Sequence, residues 1–314
     1  MPNRNTKEID VELSVVVPCF NSSNSLYELV TRCSEVLQNE LPIAFEIILV
    51  DDCSPDPNTW ETISDLSIKH QFVHGVQLML NSGKAGAELC GMGESVGNWV
   101  VTIDDDLQIL PEDIPKLFEK RNHDVVVGRY KKRRHGFISK FLSSFRKYFD
   151  LVTIKKPLNV PMTPFKLFKR EVVEEMLKIR TPYPYIPALI FKVTRDVGSV
   201  SIDHQKRFEG GSNFTLKKKV SLFSNLLINN SSLLLRCVAV CGLIFSCFSL
   251  VYAMWLIARY ISNDAPVQGW TSTMVLLALI GGVIMLAIGI VGEYLIRIIS
   301  GIENRGSFIV RKRT

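Results

Sequence analysis

The most constraining feature of the sequence is a regular alternation of short apolar segments and longer amphipathic segments in its first hundred residues. Four apolar segments have the length of buried strands: 13–17, 45–50, 73–80 and 98–103. Between them lie three segments with apolar residues at helical spacing: 25–38, 57–70 and 84–96. Strands that are apolar throughout and joined by helices are typical of a mostly parallel sheet covered on both faces. We therefore predict an α/β fold with a Rossmann-like, mostly parallel sheet.

Acidic clusters follow two of the predicted strands. The second strand leads into Asp51 and Asp52, and the fourth leads into Asp104, Asp105 and Asp106. Parallel sheets bind ligands beyond the carboxyl ends of their strands, so these carboxylates are candidates for a ligand or cation site. Capping of the next helix is an alternative, because an Asp at a helix N-terminus accepts a hydrogen bond from a free backbone N–H. One Asp in each cluster would be enough for capping, so the pattern favours a functional site.

Several common nucleotide and metal motifs are absent from the sequence. The turn after the first strand, 18–21, is Pro-Cys-Phe-Asn, and Gly91 and Gly93 lie inside a predicted helix, so a dinucleotide-binding fingerprint is not indicated. The sequence has no Walker A motif, and no two cysteines have the C-x-x-C spacing of a zinc or redox site. A nucleotide would therefore be bound through acids and a cation rather than through a glycine-rich phosphate loop.

Two long apolar segments lie after residue 230. Residues 233–261 contain only Arg236 and Arg259 as charged residues, and residues 273–292 contain none. Each segment has the roughly 20 apolar residues that a membrane-spanning helix needs. Lysines and arginines flank the pair on its outer sides but are absent from the link between them, which places the link outside the cell. We therefore predict a multi-pass protein of the cell inner (cytoplasmic) membrane with both termini in the cytoplasm.

Four motifs, in order along the chain, resemble those of family 2 glycosyltransferases of the GT-A fold: VVVPCFN, LVDDCSPD, NSGKAGA and TIDDDLQILPEDIPKL. The two apolar segments and the later GEYLIRI resemble more narrowly the polyprenyl-phosphate branch of this family. That branch includes dolichol-phosphate mannose synthase and undecaprenyl-phosphate 4-deoxy-4-formamido-L-arabinose transferase. The resemblance covers nearly the whole chain.

With this resemblance the chain divides into four predicted parts. Residues 1–214 would form a cytoplasmic GT-A glycosyltransferase domain, and residues 215–232 a juxtamembrane helix. Residues 233–299 would contain two transmembrane helices, at about 234–259 and 272–295, before a basic cytoplasmic tail at 300–314.

Two of these parts suggest further contacts. Residues 131–150 place aromatic residues at helical spacing beside lysines and arginines, which indicates either an interfacial amphipathic helix or an ordinary helix packed on the sheet. Glycines at 281, 282 and 289 permit close helix contacts, so we predict a homo-oligomer. Because of the apolar segments, the basic residues are expected to meet a membrane and not nucleic acid.

The resemblance implies a role for each residue at a matching position. The residues that would bind the nucleotide are Pro18, Asn21, Asp51, Asp52, Lys84 and Asp104. A Mg²⁺ or Mn²⁺ ion would be held by the D-x-D element, Asp104 and Asp106, with Gln108 beside it, because hard carboxylate oxygens suit these ions. Ser22 departs from the family pattern, in which Glu commonly follows the Asn, so no ribose contact is carried over to that position.

A second set of residues would bind the phosphate of the acceptor. Residues 125–129 read as a strand that ends in Arg129, as the family's G-x-R element does, and Arg207 and Ser212 match its R-x-x-G-x-S loop. Lys140 lies in the basic segment between them. The residues implied in catalysis are Asp104, Asp106, Arg129 and Arg207.

The implied reaction is inverting transfer of one sugar from a nucleotide-diphosphate donor, UDP being favoured over GDP, to undecaprenyl or another polyprenyl phosphate. The product would serve the synthesis or modification of cell-envelope glycans. Two alternatives stay open. One is a hydroxyl-directed or processive transferase of the same fold, although residues 205–208 lack the Q-x-x-R-W spacing of processive enzymes. The other is a membrane-tethered nucleotide-sugar-binding scaffold without activity.

Overall fold

A computed structural model describes residues 11–130, 163–181, 184–202 and 307–314, together with scattered residues between 251 and 298. The chain separates into two compact units. The first unit contains residues 1–215 and 304–314, and the second contains residues 216–303.

The first unit alternates strands and helices over the described part of the chain. Its elements are β1 (Leu13–Cys19), α1 (Ser23–Asn39), β2 (Phe45–Asp51), α2 (Pro57–Lys69), β3 (Val73–Leu78), α3 (Gly83–Glu94), β4 (Trp99–Thr102), a 3₁₀ turn (Pro111–Asp113), α4 (Ile114–Phe118), β5 (Val125–Tyr130), β6 (Lys166–Lys169), α5 (Arg170–Lys178), α6 (Ile186–Val193), β7 (Val197–Ile202) and β8 (Val310–Arg313).

The described strands form one mixed sheet in the order β7-β5-β6-β4-β1-β2-β3-β8. The pairs β1–β2, β1–β4 and β2–β3 are parallel, as the alternating sequence predicts. β6 is antiparallel to both β4 and β5, and β8 is antiparallel to β3. The α/β prediction is confirmed, but the sheet is mixed because these two short strands lie outside the strand–helix alternation.

The core lies on both faces of the sheet. On one face Val15 and Val17 of β1 pack with Leu29 of α1, and on the other Val16 packs with Met92 of α3. Successive side chains of a strand point to opposite faces, so a strand covered on both sides must be apolar at every position. This arrangement explains the unbroken apolar segments of the sequence.

Helix α3 lies directly on the sheet. A Cβ on Gly91 would lie 2.3 Å from Cγ1 of Val16, so only a glycine allows this approach. The turn after the helix is fixed by the buried Glu46, whose Oε1 accepts hydrogen bonds from the Ser14 hydroxyl (2.6 Å) and the Val96 N–H (2.7 Å). Because α3 follows β3, its first residues stand at the carboxyl edge of the sheet.

Strand β8 closes the sheet beyond β3. Gln77 of β3 pairs with Lys312, and Arg313 makes two hydrogen bonds, of 3.0 and 2.8 Å, with the carboxylate of Glu94. The sequence indicated only a basic tail at 300–314, because a four-residue charged strand carries no apolar pattern.

No helix within the described part of the chain has the length and apolar character needed to cross a bilayer. The prediction of a multi-pass inner-membrane protein with both termini in the cytoplasm is contradicted by this finding and is wrong. It rested on the length of the apolar segments and on the charges that flank them.

Other predictions fall partly or wholly outside the described residues. These are the amphipathic helix at 131–150, the juxtamembrane helix at 215–232 and most of the segments at 234–259 and 272–295. The homo-oligomer stays a prediction.

Candidate active site

Three tight turns follow the carboxyl ends of β1, β2 and β4 at one edge of the sheet. Each contains a non-glycine residue with a left-handed backbone: Asn21 (φ 54°), Cys53 (φ 54°) and Leu107 (φ 55°). This conformation costs roughly 1–2 kcal/mol for an L-residue and is found preferentially at functional sites. The three turns therefore mark this edge as the candidate site.

Hydrogen bonds tie the first two turns together. The Asn21 N–H donates to the Ser54 hydroxyl (3.0 Å), and the Asn21 side-chain oxygen accepts from the Asp56 N–H (3.3 Å). Pro18 is buried within β1, in register with Val50. Pro18 and Asn21 therefore both lie at the carboxyl end of β1, and their role in nucleotide binding stays a prediction.

Asp51 and Asp52 lie beneath the surface of this edge. The carboxylate of Asp51 accepts from the Ser54 N–H (2.9 Å) and from the Gln77 amide (3.0 Å). Asp52 is 4% exposed, and its Oδ1 accepts from the Ser82 N–H (2.6 Å) just before α3. Burial raises the pKa of Asp52 to about 6, an effect that the backbone hydrogen bonds at the start of α3 offset only in part. Both carboxylates therefore fix the loops around the site.

The capping explanation applies to a different aspartate. Asp56 is the N-cap of α2, and its Oδ1 accepts from the Asn58 N–H (3.1 Å). Asp51 and Asp52 are thus not used to cap the helix that follows them.

The three consecutive aspartates after β4 have different surroundings. Asp105 is turned inward, where its Oδ2 accepts from the Phe20 N–H (3.1 Å) and its carbonyl accepts from the Ser25 hydroxyl (2.5 Å). Burial raises the pKa of Asp105 to about 6. Asp104 and Asp106 are half-buried, and Oδ1 of Asp106 accepts from the Gln108 N–H (3.2 Å) across the turn. The outer two carboxylates of the D-x-D element thus stand at the edge while the middle one supports the turn.

Lys84, at the start of α3, forms an ion pair with Asp104. Burial alone would lower the pKa of Lys84, but the attraction of Asp104, and then of Glu88, raises it above its ordinary value. The lysine is therefore a firmly charged cation beside the D-x-D element. Its role in nucleotide binding stays a prediction.

A buried ion pair lies one helical turn further along α3. Oε1 of Glu88 is 3.1 Å from Nζ of Lys166 in β6, and each side chain is 4% exposed. Sequence reasoning missed both residues. A lysine within the apolar segment Phe-Lys-Leu-Phe, at 165–168, was the available signal, because an unpaired lysine is almost never buried.

Arg129 lies near the end of β5, on the same edge of the sheet. In β6, Lys166 is in register with both Thr102 of β4 and Val127 of β5. Thr102 and Val127 are therefore at the same level on strands that have β6 between them, and Asp104 and Arg129 each follow two residues later, at the carboxyl edge. The predicted residues Lys140, Arg207 and Ser212 lie outside the described residues.

The structure contains no group of three or more His, Cys, Asp or Glu side chains placed to hold a metal ion within the described residues. Mg²⁺, however, is usually held by one or two carboxylates together with substrate phosphates. Asp104 and Asp106 are half-buried, are separated by one residue and lie at the open edge. They supply such a pair of hard oxygen ligands. The residues present therefore fit a Mg²⁺ or Mn²⁺ ion that is completed by a diphosphate.

Comparisons with known proteins identify the family of this chain. Residues 14–177 match the glycosyl transferase family 2 model. The chain is 32% identical to an uncharacterized glycosyltransferase, sll0501, of Synechocystis sp., over 96% of this chain and 95% of that protein. It is 30% identical to the undecaprenyl-phosphate 4-deoxy-4-formamido-L-arabinose transferase of Pseudomonas aeruginosa, over 96% and 89% respectively.

A solved structure shows that the fold is shared. It is glucosyl-3-phosphoglycerate synthase from Mycobacterium tuberculosis in complex with Mg²⁺ and uridine diphosphate, with a TM-score of 0.51 and 15% identity. The match covers 72% of this chain and 79% of that structure. Together with the acidic edge of the sheet, these matches show that the chain belongs to glycosyltransferase family 2.

Proposed function

We propose that this chain transfers one sugar from a nucleotide-diphosphate donor, a UDP-sugar, to undecaprenyl or another polyprenyl phosphate, with inversion at the anomeric carbon. The observation that carries the proposal is the ion pair of Lys84 with Asp104 beside Asp106, which brings a cation and two carboxylates to the open edge of the sheet. The acceptor is supported by the undecaprenyl-phosphate transferase of Pseudomonas aeruginosa, which matches over nearly its whole length. The product would serve cell-envelope glycan synthesis or modification.

The donor side of the reaction needs neutralisation of the departing diphosphate. Asp104 and Asp106, with Gln108 beside them, would hold Mg²⁺ or Mn²⁺, which supplies a charge that stabilises the leaving group. Lys84 lies next to this pair and donates charge-assisted hydrogen bonds to a donor phosphate oxygen. The buried Asp51 and Asp52 keep the surrounding loops in place for the nucleotide.

The acceptor side needs orientation of a phosphate. A phosphate monoester has a second pKa near 6, so at neutral pH it is largely a dianion and needs no general base to become a nucleophile. Arg129, at the same edge of the sheet as Asp104, binds and orients this dianion, and we assign Arg207, Ser212 and Lys140 to the same task. An acceptor oxygen that attacks from the side opposite the leaving group inverts the anomeric centre.

A product assay tests the proposal. The purified chain is incubated with radiolabelled UDP-sugars and GDP-sugars, a short-chain polyprenyl phosphate and Mg²⁺ or Mn²⁺. We expect one UDP-sugar to give a labelled product that partitions into organic solvent and releases its sugar in mild acid, as a glycosyl phosphate does. An acid-stable product or a polymer would instead support the hydroxyl-directed or processive alternative. Nucleotide binding without turnover of any donor would support the scaffold.

A further inference from the structure

A row of charged side chains of alternating sign leads from the candidate active site into the core. Asp104 pairs with Lys84, and Lys166 pairs with Glu88 at 3.1 Å. Glu88 lies four residues after Lys84 in α3, so the two side chains share one face of the helix. The row starts at the half-buried edge and ends at side chains that are 4% exposed. Its members come from α3, from β6 and from the acidic turn that follows β4.

Stability alone does not account for the buried end of this row. Removing two charges from water costs several kcal/mol per ion, and apolar residues of similar volume are often as stabilising as the pair or more so. The Nζ of Lys166 accordingly takes a second partner, the Pro164 carbonyl, at 3.3 Å. This carbonyl also accepts from the Thr102 hydroxyl of β4 (2.8 Å), so the ammonium group is tied to the strand that leads into the D-x-D element.

The geometry points to a function for the pair that rests on the proposed sugar transfer. We propose that Glu88 and Lys166 are positioning residues that hold the ammonium group of Lys84 at the place where the donor diphosphate binds. Glu88 restrains Lys84 from below, on the same face of α3. Lys166 neutralises Glu88, so that Glu88 does not draw Lys84 down and away from Asp104. The ammonium group of Lys84 thus stays in a position to bind the donor phosphates.

Two variants separate this role from simple stabilisation. In Lys166→Met, an unpaired buried Glu88 competes with Asp104 and the diphosphate for Lys84. In the double variant Glu88→Gln/Lys166→Met no buried charge remains unpaired, so stability recovers while Lys84 has lost its restraint. Arg313→Met is the matched control, because it removes a cation from Glu94, which is buried at the opposite end of the same helix.

The experiment measures UDP affinity by calorimetry in the presence of Mg²⁺, together with melting temperature and the donor and acceptor KM values. We expect UDP affinity to fall about tenfold in Lys166→Met and to stay reduced by about threefold or more in the double variant. The donor KM should rise in both variants while the acceptor KM is unchanged. Arg313→Met should melt at a lower temperature and bind UDP as the wild type does.

The opposite results would overturn the inference. A double variant that regains wild-type melting temperature and wild-type UDP affinity would reduce the pair to a structural contact. If Lys166→Met does not fold, the double variant decides the question alone. A wild-type chain that binds UDP but forms no glycolipid would contradict the proposed reaction, and the UDP affinities of the variants would still test the positioning role.

Discussion

Lys84 at the start of α3 and Asp104 after the end of β4 form an ion pair across the candidate active site. Their side chains are 49% and 21% exposed, so the pair is accessible to a ligand. The contact places a cation beside the first carboxylate of the D-x-D element. Phosphate groups and a divalent ion would therefore meet the same two side chains.

Replacement of this lysine should weaken donor binding with little effect on stability. In Lys84→Met the charge-assisted hydrogen bonds to the diphosphate are lost, so we expect UDP affinity to fall about tenfold by calorimetry. The melting temperature should change little, because exposed ion pairs contribute little to folding. Lys178→Met, which removes an exposed pair with Glu175 on α5, is the control and should bind UDP normally. Equal affinities in the two variants would remove Lys84 from the site.

Asp106→Asn should nearly abolish sugar transfer. The amide oxygen of Asn can still accept from the Gln108 N–H, so the turn is kept while a charged oxygen ligand for Mg²⁺ or Mn²⁺ is lost. We expect transfer to fall by about a hundredfold or more in a radiolabelled assay, with an unchanged melting temperature. Asp65→Asn on the surface of α2 is the control. Turnover at the wild-type rate would show that the D-x-D element is assigned wrongly.

Arg129→Gln should impair use of the acceptor without weakening binding of the donor. A lost charge-assisted contact to the acceptor phosphate should lower kcat/KM for polyprenyl phosphate by about tenfold to a hundredfold. UDP affinity should stay unchanged, because Arg129 is two strands away from Asp104. Lys192→Gln, an exposed charge change in α6, serves for comparison. A loss of UDP affinity in Arg129→Gln would place this residue on the donor side.

Ionisation of Asp52 should lower the free energy of unfolding as the pH rises. Its pKa of about 6 lies above the ordinary 3.8, so the folded state binds the proton more tightly than the unfolded state. The resulting stabilisation is complete below about pH 4 and lost as the pH rises through about 6, a difference of at most about 3 kcal/mol.

The variant Asp52→Asn does not titrate and should therefore gain stability relative to the wild type between pH 4 and pH 7. Melting temperatures measured across this range check the expectation. A constant difference between the two proteins would contradict it.

Two glycines of α3 give a matched pair of variants. A Cβ on Gly91 would clash with Val16, so Gly91→Ala should lower the free energy of unfolding by about 1–3 kcal/mol and move α3 with its lysine. A Cβ on Gly93 would lie 3.8 Å from Leu177, an ordinary contact, so Gly93→Ala should be neutral or stabilising by about 0.5–1 kcal/mol. Urea unfolding measures both. Equal changes in the free energy of unfolding would show that the close approach of α3 to β1 does not contribute to stability.

The first four strands and the first three helices were predicted well from the sequence. Each of these strands is a short, unbroken apolar segment, and each helix has apolar residues at helical spacing. Asp51, Asp52, Asp104 and Asp106 could be located for the same reason: a polar cluster after a buried strand must lie at the edge of the sheet. The inward turn of Asp105 could not be predicted, because its carboxylate is held by the N–H of Phe20, which is 85 positions away in the sequence.

Contacts between distant parts of the chain left no local pattern. Glu88 and Lys166 are 78 positions apart, and although a lysine within an apolar segment is a signal of burial, nothing in the local sequence identifies its partner. The membrane localisation was predicted from the length of two apolar segments and their flanking charges, and the described helices contradict it.

The pairing of β8 with β3 also has a consequence for biosynthesis. Glu94 and Arg313 are 219 positions apart, so the ribosome must add the whole intervening stretch before this contact can form. At about 5–20 residues per second, that takes about 10–40 s. During this interval β3 has free backbone N–H and C=O groups on its outer side and can pair with a strand of another nascent chain. A chaperone that covers the outer side of β3 would therefore prevent such pairing most effectively during this interval.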